Sequence, residues 1–263
     1  MTYVLSWVGI KDGQGTTTSA LAVAHELARR YHVLLLDADQ SGTGTLADLL
    51  DVDAGQRGMS RFAGALPAIT ASMLREESVP VPRHGNLFLL PGLDGVCGKP
   101  AHMLAGELER GQALAQIPFH FVVIDWGSAW SHAGLDSPAR SAEAICRLSD
   151  RVFVQVVGSP VLLTRAIRVL QQARPPRAEL VLLETRRTEL RRELQRTLTT
   201  HLPNLELAAT GRWDHRAAVE AEDRGTTMTG HGQHLVTTLQ LSERAMPVLR
   251  ARPPAPSPAV QEG

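Results

Sequence analysis

The chain has 263 residues, 43% of them hydrophobic and 21% charged, which is typical of a soluble globular protein and favours one large domain. Its 27 basic and 27 acidic residues balance, which excludes binding of nucleic acid or anionic lipid through overall charge and would require a local patch instead. The two cysteines are too few for a disulfide framework, and we find no apolar run as long as a signal peptide core or a membrane span, so we expect a cytoplasmic protein.

Apolar segments of strand length alternate with segments of helical periodicity along the chain. This alternation predicts an α/β fold with a mostly parallel, doubly wound sheet that helices cover on both faces. The predicted strands are Tyr3–Val8, His32–Asp37, Leu87–Leu90, Phe119–Ile124, Val152–Val157, Glu179–Glu184 and Leu205–Ala209. The predicted helices are Thr17–Arg30, Gly44–Leu50, a short one near Ile69–Glu77, Met103–Gln116, Ala139–Leu148, Pro160–Ala173, Thr188–Leu202, His215–Asp223 and Gln233–Arg250.

The chain shows no internal repeat and no boundary between two domains, so residues 1–250 are expected to form a single domain. Residues 251–263 read A-R-P-P-A-P-S-P-A-V-Q-E-G. Because proline interrupts helices and this segment has few apolar side chains to bury, we expect a disordered, proline-rich tail.

A glycine-rich loop connects the first predicted strand to the first predicted helix. Residues Lys11 to Thr18 read K-D-G-Q-G-T-T-T. A loop in this place binds phosphate groups through backbone N–H groups and the positive end of the helix dipole. A tight turn that uses Gly13 and Gly15 only for their backbone conformation would look the same, so the loop alone does not decide between the two readings.

Two later predicted strands end in carboxylates. The segment V-L-L-L-D-A-D-Q-S-G places Asp37 and Asp39 at the end of the second strand, and F-V-V-I-D-W-G places Asp125 at the end of another in a Walker-B arrangement. Side chains at the carboxyl ends of parallel strands lie near the crevice where open α/β sheets bind ligands. Ordinary loop polarity after a strand would explain each of these acids singly.

Together these segments resemble the ParA/MinD group of deviant-Walker P-loop ATPases, whose loop reads K-G-G-x-G-K-[ST]-[ST] and whose next strand ends D-x-D-P-Q-G. The chain departs from that pattern at Asp12, which replaces a glycine, and at Thr16, which replaces the phosphate-binding lysine. Looser matches over Val152–Pro160, Leu180–Leu194 and Ala218–Gly225 favour ParA proteins over other P-loop classes. The resemblance implies a P-loop NTPase fold.

The same resemblance implies ATP or ADP with Mg²⁺ as the ligands. In the family, the residue matched by Lys11 reaches a partner's nucleotide across a dimer interface, and the residue matched by Asp39 orients the attacking water, so these two would be catalytic. The Mg²⁺ shell would be held by Thr17, Asp37 and Asp125. The nucleotide-binding loop would comprise Lys11, Asp12, Gly13, Gln14, Gly15, Thr16, Thr17 and Thr18.

The missing lysine leaves three outcomes open. Phosphoryl transfer depends on positioning and electrostatic stabilisation, and removal of one preorganised donor typically costs about 3 kcal/mol of barrier. The loop could bind ATP with weak or absent hydrolysis, or an arginine such as Arg57 or Arg61 could replace the lost charge. Alternatively, an empty loop could keep the fold as a non-catalytic pseudo-ATPase scaffold that acts through protein partners.

In ParA proteins a basic surface late in the chain binds DNA non-specifically, and the predicted helix Thr188–Leu202 carries arginines suited to phosphate contacts. Glu189 and Glu193 on the same segment could instead pair with them on a solvated face. The resemblance implies a homodimer, associated with the nucleoid and a DNA-site-binding partner protein, that segregates a plasmid or chromosome or positions a cargo. The candidate DNA-binding residues are Arg186, Arg187, Arg191, Arg192, Arg196, Arg212 and Arg216.

Two other branches of the family are disfavoured. A MinD-like membrane anchor requires a basic amphipathic helix at the C-terminus, whereas Gln233–Arg250 has few basic residues and is followed by prolines, so we expect no membrane binding. The iron protein branch requires two cysteines near a dimer axis. Cys97 lies in a glycine-containing loop, but Cys146 falls on a predicted helix, so we do not expect an iron–sulfur cluster.

Overall fold

A twisted sheet forms the centre of the computed structural model, which describes residues 2–39, 45–55, 57–62, 64, 68–92, 99–130, 137–184, 191–212, 216, 219–220 and 229–241. Within this part of the chain the sheet has eight strands, which are β1 (Tyr3–Gly9), β2 (Val33–Asp37), β3 (Val79–Pro80), β4 (Leu87–Leu90), β5 (Phe121–Asp125), β6 (Arg151–Val157), β7 (Glu179–Glu184) and β8 (Glu206–Arg212). Their order in the sheet is β3-β4-β2-β5-β1-β6-β7-β8.

The seven strands predicted from the sequence are all present, and they pair in parallel. The eighth, β3, pairs antiparallel with β4 and was missed because a strand of two residues has no detectable alternation. Trp7 and Asp37 both stand opposite Asp125 in the pairing register, so β1, β2 and β5 end at the same edge of the sheet. That edge carries the candidate site.

Helices cover both faces of the sheet, as predicted. The helices are α1 (Thr16–Ala28), α2 (Thr45–Leu49), α3 (Ala71–Glu77), α4 (Ala101–Arg110), α5 (Ala113–Gln116), α6 (Pro138–Leu148), α7 (Pro160–Ala173), α8 (Arg191–His201) and α9 (Thr229–Thr238). A short 3₁₀ turn spans Met59–Phe62. On one face α1 and α9 pack against an apolar cluster that includes Leu21 and Leu235, and on the other face α4, α6, α7 and α8 bury residues such as Leu108 and Leu198.

One predicted helix is wrong. Met103–Gln116 was expected as a single helix, but α4 ends at Arg110 and α5 begins at Ala113. Gln112 between them has a φ of 48°, a left-handed conformation that interrupts the helical path. Most of the predicted helix His215–Asp223 lies outside the described residues, as do the last part of Gln233–Arg250 and the whole predicted tail.

A buried ion pair ties α4 to the segment before α3. The Lys99 ammonium donates to Glu107 Oε2 at 2.7 Å, to the Phe62 carbonyl at 2.7 Å and to the Gly64 carbonyl at 2.9 Å. The Lys99 and Glu107 side chains are 9% and 2% exposed. One of the two lysines of the chain therefore serves the core rather than a binding surface.

Helix α9, the last helix in the described part of the chain, packs against α1. The hydroxyl of Ser19 and Nε2 of His231 are hydrogen-bonded at 2.9 Å, and both side chains are buried. Next to this bond, the Gly232 backbone lies against Ala22 with no room for a side chain. Because the glycine loop leads into α1, α9 helps to hold the helix that carries the candidate site.

Throughout the described ranges, every helix is too short or too polar to span a bilayer.

Candidate functional site

The glycine loop folds as a turn that leads directly into α1. Gly13 and Gly15 have φ angles of 74° and 73°, a left-handed conformation that residues with a side chain rarely adopt. Gly15 is the N-cap of α1, so the first free N–H groups of the helix face the space beside the loop. This space is a cleft of about 460 Å³. It is lined by Lys11, Asp12, Gly13, Gln14, Gly15, Thr16, Thr17, Thr18, Asp39, Thr45, Gly127 and Ser128.

Two buried carboxyls lie at the sheet edge below the cleft. Asp37 and Asp125, at the ends of β2 and β5, are 3% and 0% exposed. The Thr17 hydroxyl lies beside the Asp125 carboxyl, and the Gly127 N–H donates to Asp125 Oδ1 at 3.0 Å. The second oxygen, Asp125 Oδ2, is buried without a hydrogen-bond partner among the described residues.

Burial changes the acidity of both groups. It raises the pKa of Asp125 to about 6, although hydrogen bonds from Thr17 and Gly127 oppose the increase. Burial and, after it, the nearby Asp125 charge raise the pKa of Asp37 well above its usual range, while the Asp39 and Leu46 N–H groups oppose this. Two adjacent buried anions are costly unless a cation compensates them.

The residues present fit a Mg²⁺ ion. Mg²⁺ prefers oxygen ligands and keeps several waters, and Asp125 offers an unpartnered buried oxygen next to the Thr17 hydroxyl. Thr17 and Asp125 would hold the ion, with Asp37 adding negative charge beside them. The described residues contain no group of three or more His, Cys, Asp or Glu side chains placed to hold a metal alone, so water and phosphate oxygens would complete the shell. Bound Mg²⁺ would neutralise phosphate charge.

Hydrogen bonds connect the residues after β5 to the glycine loop and to the end of β1. Sequence reasoning missed this connection. The Ser128 hydroxyl donates to Asp12 Oδ1 in a short hydrogen bond. The Gly127 carbonyl accepts from the Gly9 N–H at 2.7 Å, and Gly127, with a φ of 53°, lies against the Asp39 carboxyl. The sequence signal for this contact is the glycine and serine that follow Asp125 and Trp126, because small residues after a strand allow two loops to approach each other closely.

The cleft has little positive charge. Thr16, at the position of the usual lysine, is 6% exposed, and its hydroxyl packs against the Gly9 backbone at the end of β1. Among the described residues that line the cleft, Lys11 is the one basic residue, whereas Asp12 and Asp39 are both acidic. Lys11 is exposed and makes no hydrogen bond or ion pair with any described residue.

Two glutamines lie under the loop. Gln155 Nε2 on β6 donates to the Gln14 carbonyl at 2.6 Å, which ties the loop to the sheet. Both side-chain amide atoms of Gln14 and the Gln155 carbonyl oxygen are buried without a partner among the described residues. Buried polar atoms of this kind are normally satisfied by ordered water. Gln155 was missed, although it is the single polar residue within the apolar strand V-F-V-Q-V-V.

Neither arginine considered as a substitute for the missing lysine lies in the cleft. Arg61 is paired with Glu77 of α3 at 3.4 Å, and Arg57 is exposed on the loop before the 3₁₀ turn. The described residues that line the cleft include no arginine. The idea that Arg57 or Arg61 restores the charge is therefore not supported by their positions.

The candidate DNA-binding residues are only partly described. Arg192 and Arg196 are exposed on α8, at the β8 side of the sheet, and form no ion pair with any described residue. Arg216 pairs with Glu220 at 3.1 Å. Arg186 and Arg187 lie outside the described residues, as do the side chains of Arg191 and Arg212.

The two cysteines are in different situations. Cys146 is buried on α6, where its thiol donates to the Arg177 carbonyl at 2.9 Å and burial raises its pKa. Cys97 lies outside the described residues. Cys146 is therefore a core residue, far from the glycine loop in the fold.

No protein-family model matches the chain, and no curated protein matches its sequence. Solved structures do match the fold. A ParA family ATPase from Chlorobium tepidum TLS has a TM-score of 0.68 and 16% identity, covering 91% of this chain and 98% of its own. Apo McdA from Cyanthece has a TM-score of 0.68 and 15% identity, covering 94% and 100%. The septum site-determining protein MinD from Pyrococcus horikoshii OT3, complexed with Mg-ADP, has a TM-score of 0.67 and 17% identity, covering 94% and 98%.

The chain therefore has the fold of the ParA/MinD ATPases. This confirms the predicted fold class, a mostly parallel α/β sheet covered by helices, and the resemblance on which it was based. At such low identity the likeness establishes the fold, and the function must be argued from the site.

Proposed function

We propose that this protein is a ParA-like nucleotide switch. It binds ATP with Mg²⁺, dimerises in that state and binds DNA non-specifically, and so takes part in segregating a plasmid or chromosome or in positioning a cargo. Its hydrolysis is weak or absent. In this role it is a cytoplasmic, nucleoid-associated homodimer that works with a DNA-site-binding protein.

One observation carries the proposal: the contact between the Thr17 hydroxyl and the buried Asp125 carboxyl at the floor of the glycine-loop cleft. It joins the start of α1 to the end of β5, which is where a P-loop site assembles its metal ligands. Asp125 Oδ2 is buried without a hydrogen-bond partner among the described residues, so it can contact a bound cation or its water. Pyrococcus horikoshii MinD, which shares the fold, is complexed with Mg-ADP.

The expectation of weak hydrolysis follows from the charges around the cleft. Thr16 brings a hydroxyl, turned toward Gly9, where a lysine would neutralise the outer phosphates. Lys11, the remaining cation, is exposed at the rim and free to reach a second copy of the chain. Binding then relies on backbone N–H groups, Mg²⁺ and Lys11, and turnover lacks one stabilising charge.

A non-catalytic scaffold of the same fold is the second candidate. It is favoured by Asp12, an acidic residue that lines the cleft at a position where the family pattern has a glycine. An anion there opposes phosphate binding. In this case the protein would recruit partners without nucleotide.

Calorimetric titration with ATP–Mg²⁺ and ADP–Mg²⁺, combined with mass measurement by light scattering, tests these alternatives. Heat on titration and a dimer that forms only with ATP would support the switch and exclude the scaffold. Thr17→Val is the matched control, because it keeps the shape of the side chain and removes the hydroxyl beside Asp125. The switch is excluded if the wild-type chain neither binds nucleotide nor changes mass.

DNA binding needs a separate test. Non-specific affinity of the ATP-loaded protein should fall as salt rises, since phosphate contacts release counterions. Replacing exposed Arg192 and Arg196 by glutamine should weaken that affinity and flatten the salt dependence. Arg29→Gln, at an exposed arginine that caps the end of α1 and is already paired with Glu26, is the control and should leave both unchanged.

A further inference from the structure

We propose that Asp12, held in place by Ser128, sets which nucleotide the cleft prefers: it disfavours the terminal phosphate of a nucleoside triphosphate and so favours a diphosphate. This rests on the proposed function, because it assumes that the cleft binds nucleotides. It identifies a specificity-determining residue in a position where the family pattern has glycine.

The Asp12 side chain is exposed, but a hydrogen bond fixes its position. Its carboxylate accepts the Ser128 hydroxyl, and Ser128 is 1% exposed. The position of Ser128 is fixed in turn, because Gly127 donates to Asp125 Oδ1 at 3.0 Å and accepts from the Gly9 N–H at 2.7 Å. The negative charge of Asp12 is therefore anchored to the end of the central sheet.

Asp12 and Asp39 flank the same end of the cleft. Asp39 lies against Gly127, and the next residue, Ser128, holds Asp12. The other end of the loop, at Gly15, is the N-terminus of α1, where the first phosphates of a ligand are favoured by free N–H groups. If the first phosphates bind at this N-terminus, one more phosphate would extend away from the helix, toward the end of the cleft that the two carboxyl groups line.

The remaining charges do not compensate for this arrangement. Thr16 carries no charge, and Lys11 is the sole basic residue in the part of the lining that the structure describes. Like charges a few ångströms apart in a partly enclosed site repel strongly, and the repulsion grows with the charge of the ligand. A triphosphate should therefore lose more affinity than a diphosphate, by about tenfold or more. The switch would rest in its diphosphate state unless ATP is in excess.

The test compares affinities for ADP–Mg²⁺ and for a non-hydrolysable ATP analogue with Mg²⁺, measured by calorimetry. The wild-type chain should bind the diphosphate about tenfold more tightly or better. Asp12→Asn keeps an acceptor for Ser128 and removes the charge, and it should bring the ratio of affinities near one. Ser128→Ala keeps the charge and releases its position, so it should reduce the ratio by less.

Asp48→Asn is the matched control, because Asp48 is an exposed carboxylate on α2 that does not line the cleft. It should leave the ratio unchanged. Triphosphate binding that appears only in Asp12→Asn also supports the inference. A ratio that Asp12→Asn leaves within about twofold of the wild-type value overturns it while the proposed function stands. If the wild-type chain and every variant bind neither nucleotide, both proposals fall.

Discussion

Asp37 at the end of β2 and Asp125 at the end of β5 stand directly opposite each other in the parallel pairing of these strands, and both are buried. Burial raises the pKa of each carboxyl, to about 6 for Asp125. Burying two carboxyls next to each other lowers the free energy of unfolding. The same carboxyls belong to the proposed metal site, so ligand binding and stability make opposite demands on them.

The first prediction is that Asp125→Asn stabilises the nucleotide-free protein, by about 1 to 3 kcal/mol at about pH 7.5. A carboxyl whose pKa rises on folding stabilises the fold below its unfolded pKa of 3.8 and loses that contribution as the pH rises through about 6. The advantage of Asp125→Asn should therefore vanish toward about pH 4. Urea unfolding at several pH values measures it. Asp48→Asn should show no such trend, and an Asp125→Asn variant less stable than the wild type at neutral pH would contradict the prediction.

The second prediction is that Thr16→Lys strengthens nucleotide binding, by about tenfold or more, because it supplies the missing positive charge beside the phosphates. Thr16→Met is the control, since it adds similar length without charge and separates electrostatics from crowding against Gly9. Calorimetry with ATP–Mg²⁺ gives the affinities. Equal affinities for the two variants would show that the rest of the site no longer accommodates a phosphate chain.

The sequence predicts the sheet and the edge where the site lies because those features are local. An apolar run, a glycine loop and a carboxyl at a strand end each occupy a few consecutive residues, as around Asp125. The contacts that shape the cleft are not local: Ser128 meets Asp12 across 116 positions, and Gln155 meets Gln14 across 141. Such contacts depend on the order and register of the strands, which no short pattern encodes.

The errors in the helices and around the loop have a similar origin. Periodicity continues from α4 into α5, so it could not show the left-handed residue Gln112 that separates them. Arg61 has no obvious acidic partner near it in the sequence, but folding places Glu77 of α3 beside it. The roles of the loop residues in binding and catalysis stay predictions until ligands are tested.

The third prediction concerns the buried ion pair of Lys99 and Glu107. Lys99→Met should destabilise the protein by about 3 kcal/mol, because it leaves the Glu107 carboxylate buried without its cation and frees the Phe62 and Gly64 carbonyls. Lys11→Met, at the other lysine of the chain, is the control and should not change stability, since Lys11 is exposed. Chemical unfolding of both variants decides it. Similar stabilities for the two would mean that the pair contributes little.

The fourth prediction concerns acid sensitivity at the contact between α1 and α9. Burial, and after it the charge of His234, lower the pKa of His231 from 6.5 to about 4. In this pH range the unfolded chain binds a proton that the folded chain refuses, so stability falls as the pH drops from 6.5 to about 4. The loss from this group should reach about 3 kcal/mol.

His231→Gln should remove most of that loss, because glutamine can still bond to Ser19 and does not titrate. Urea unfolding of the wild type and the variant at about pH 7 and about pH 4.5 isolates the contribution, since all other titrating groups are common to both. His201→Gln, at an exposed residue on α8, is the control and should follow the wild type. If His231→Gln loses as much stability on acidification as the wild type, the acid-sensitive group lies elsewhere and folding does not lower the pKa of His231.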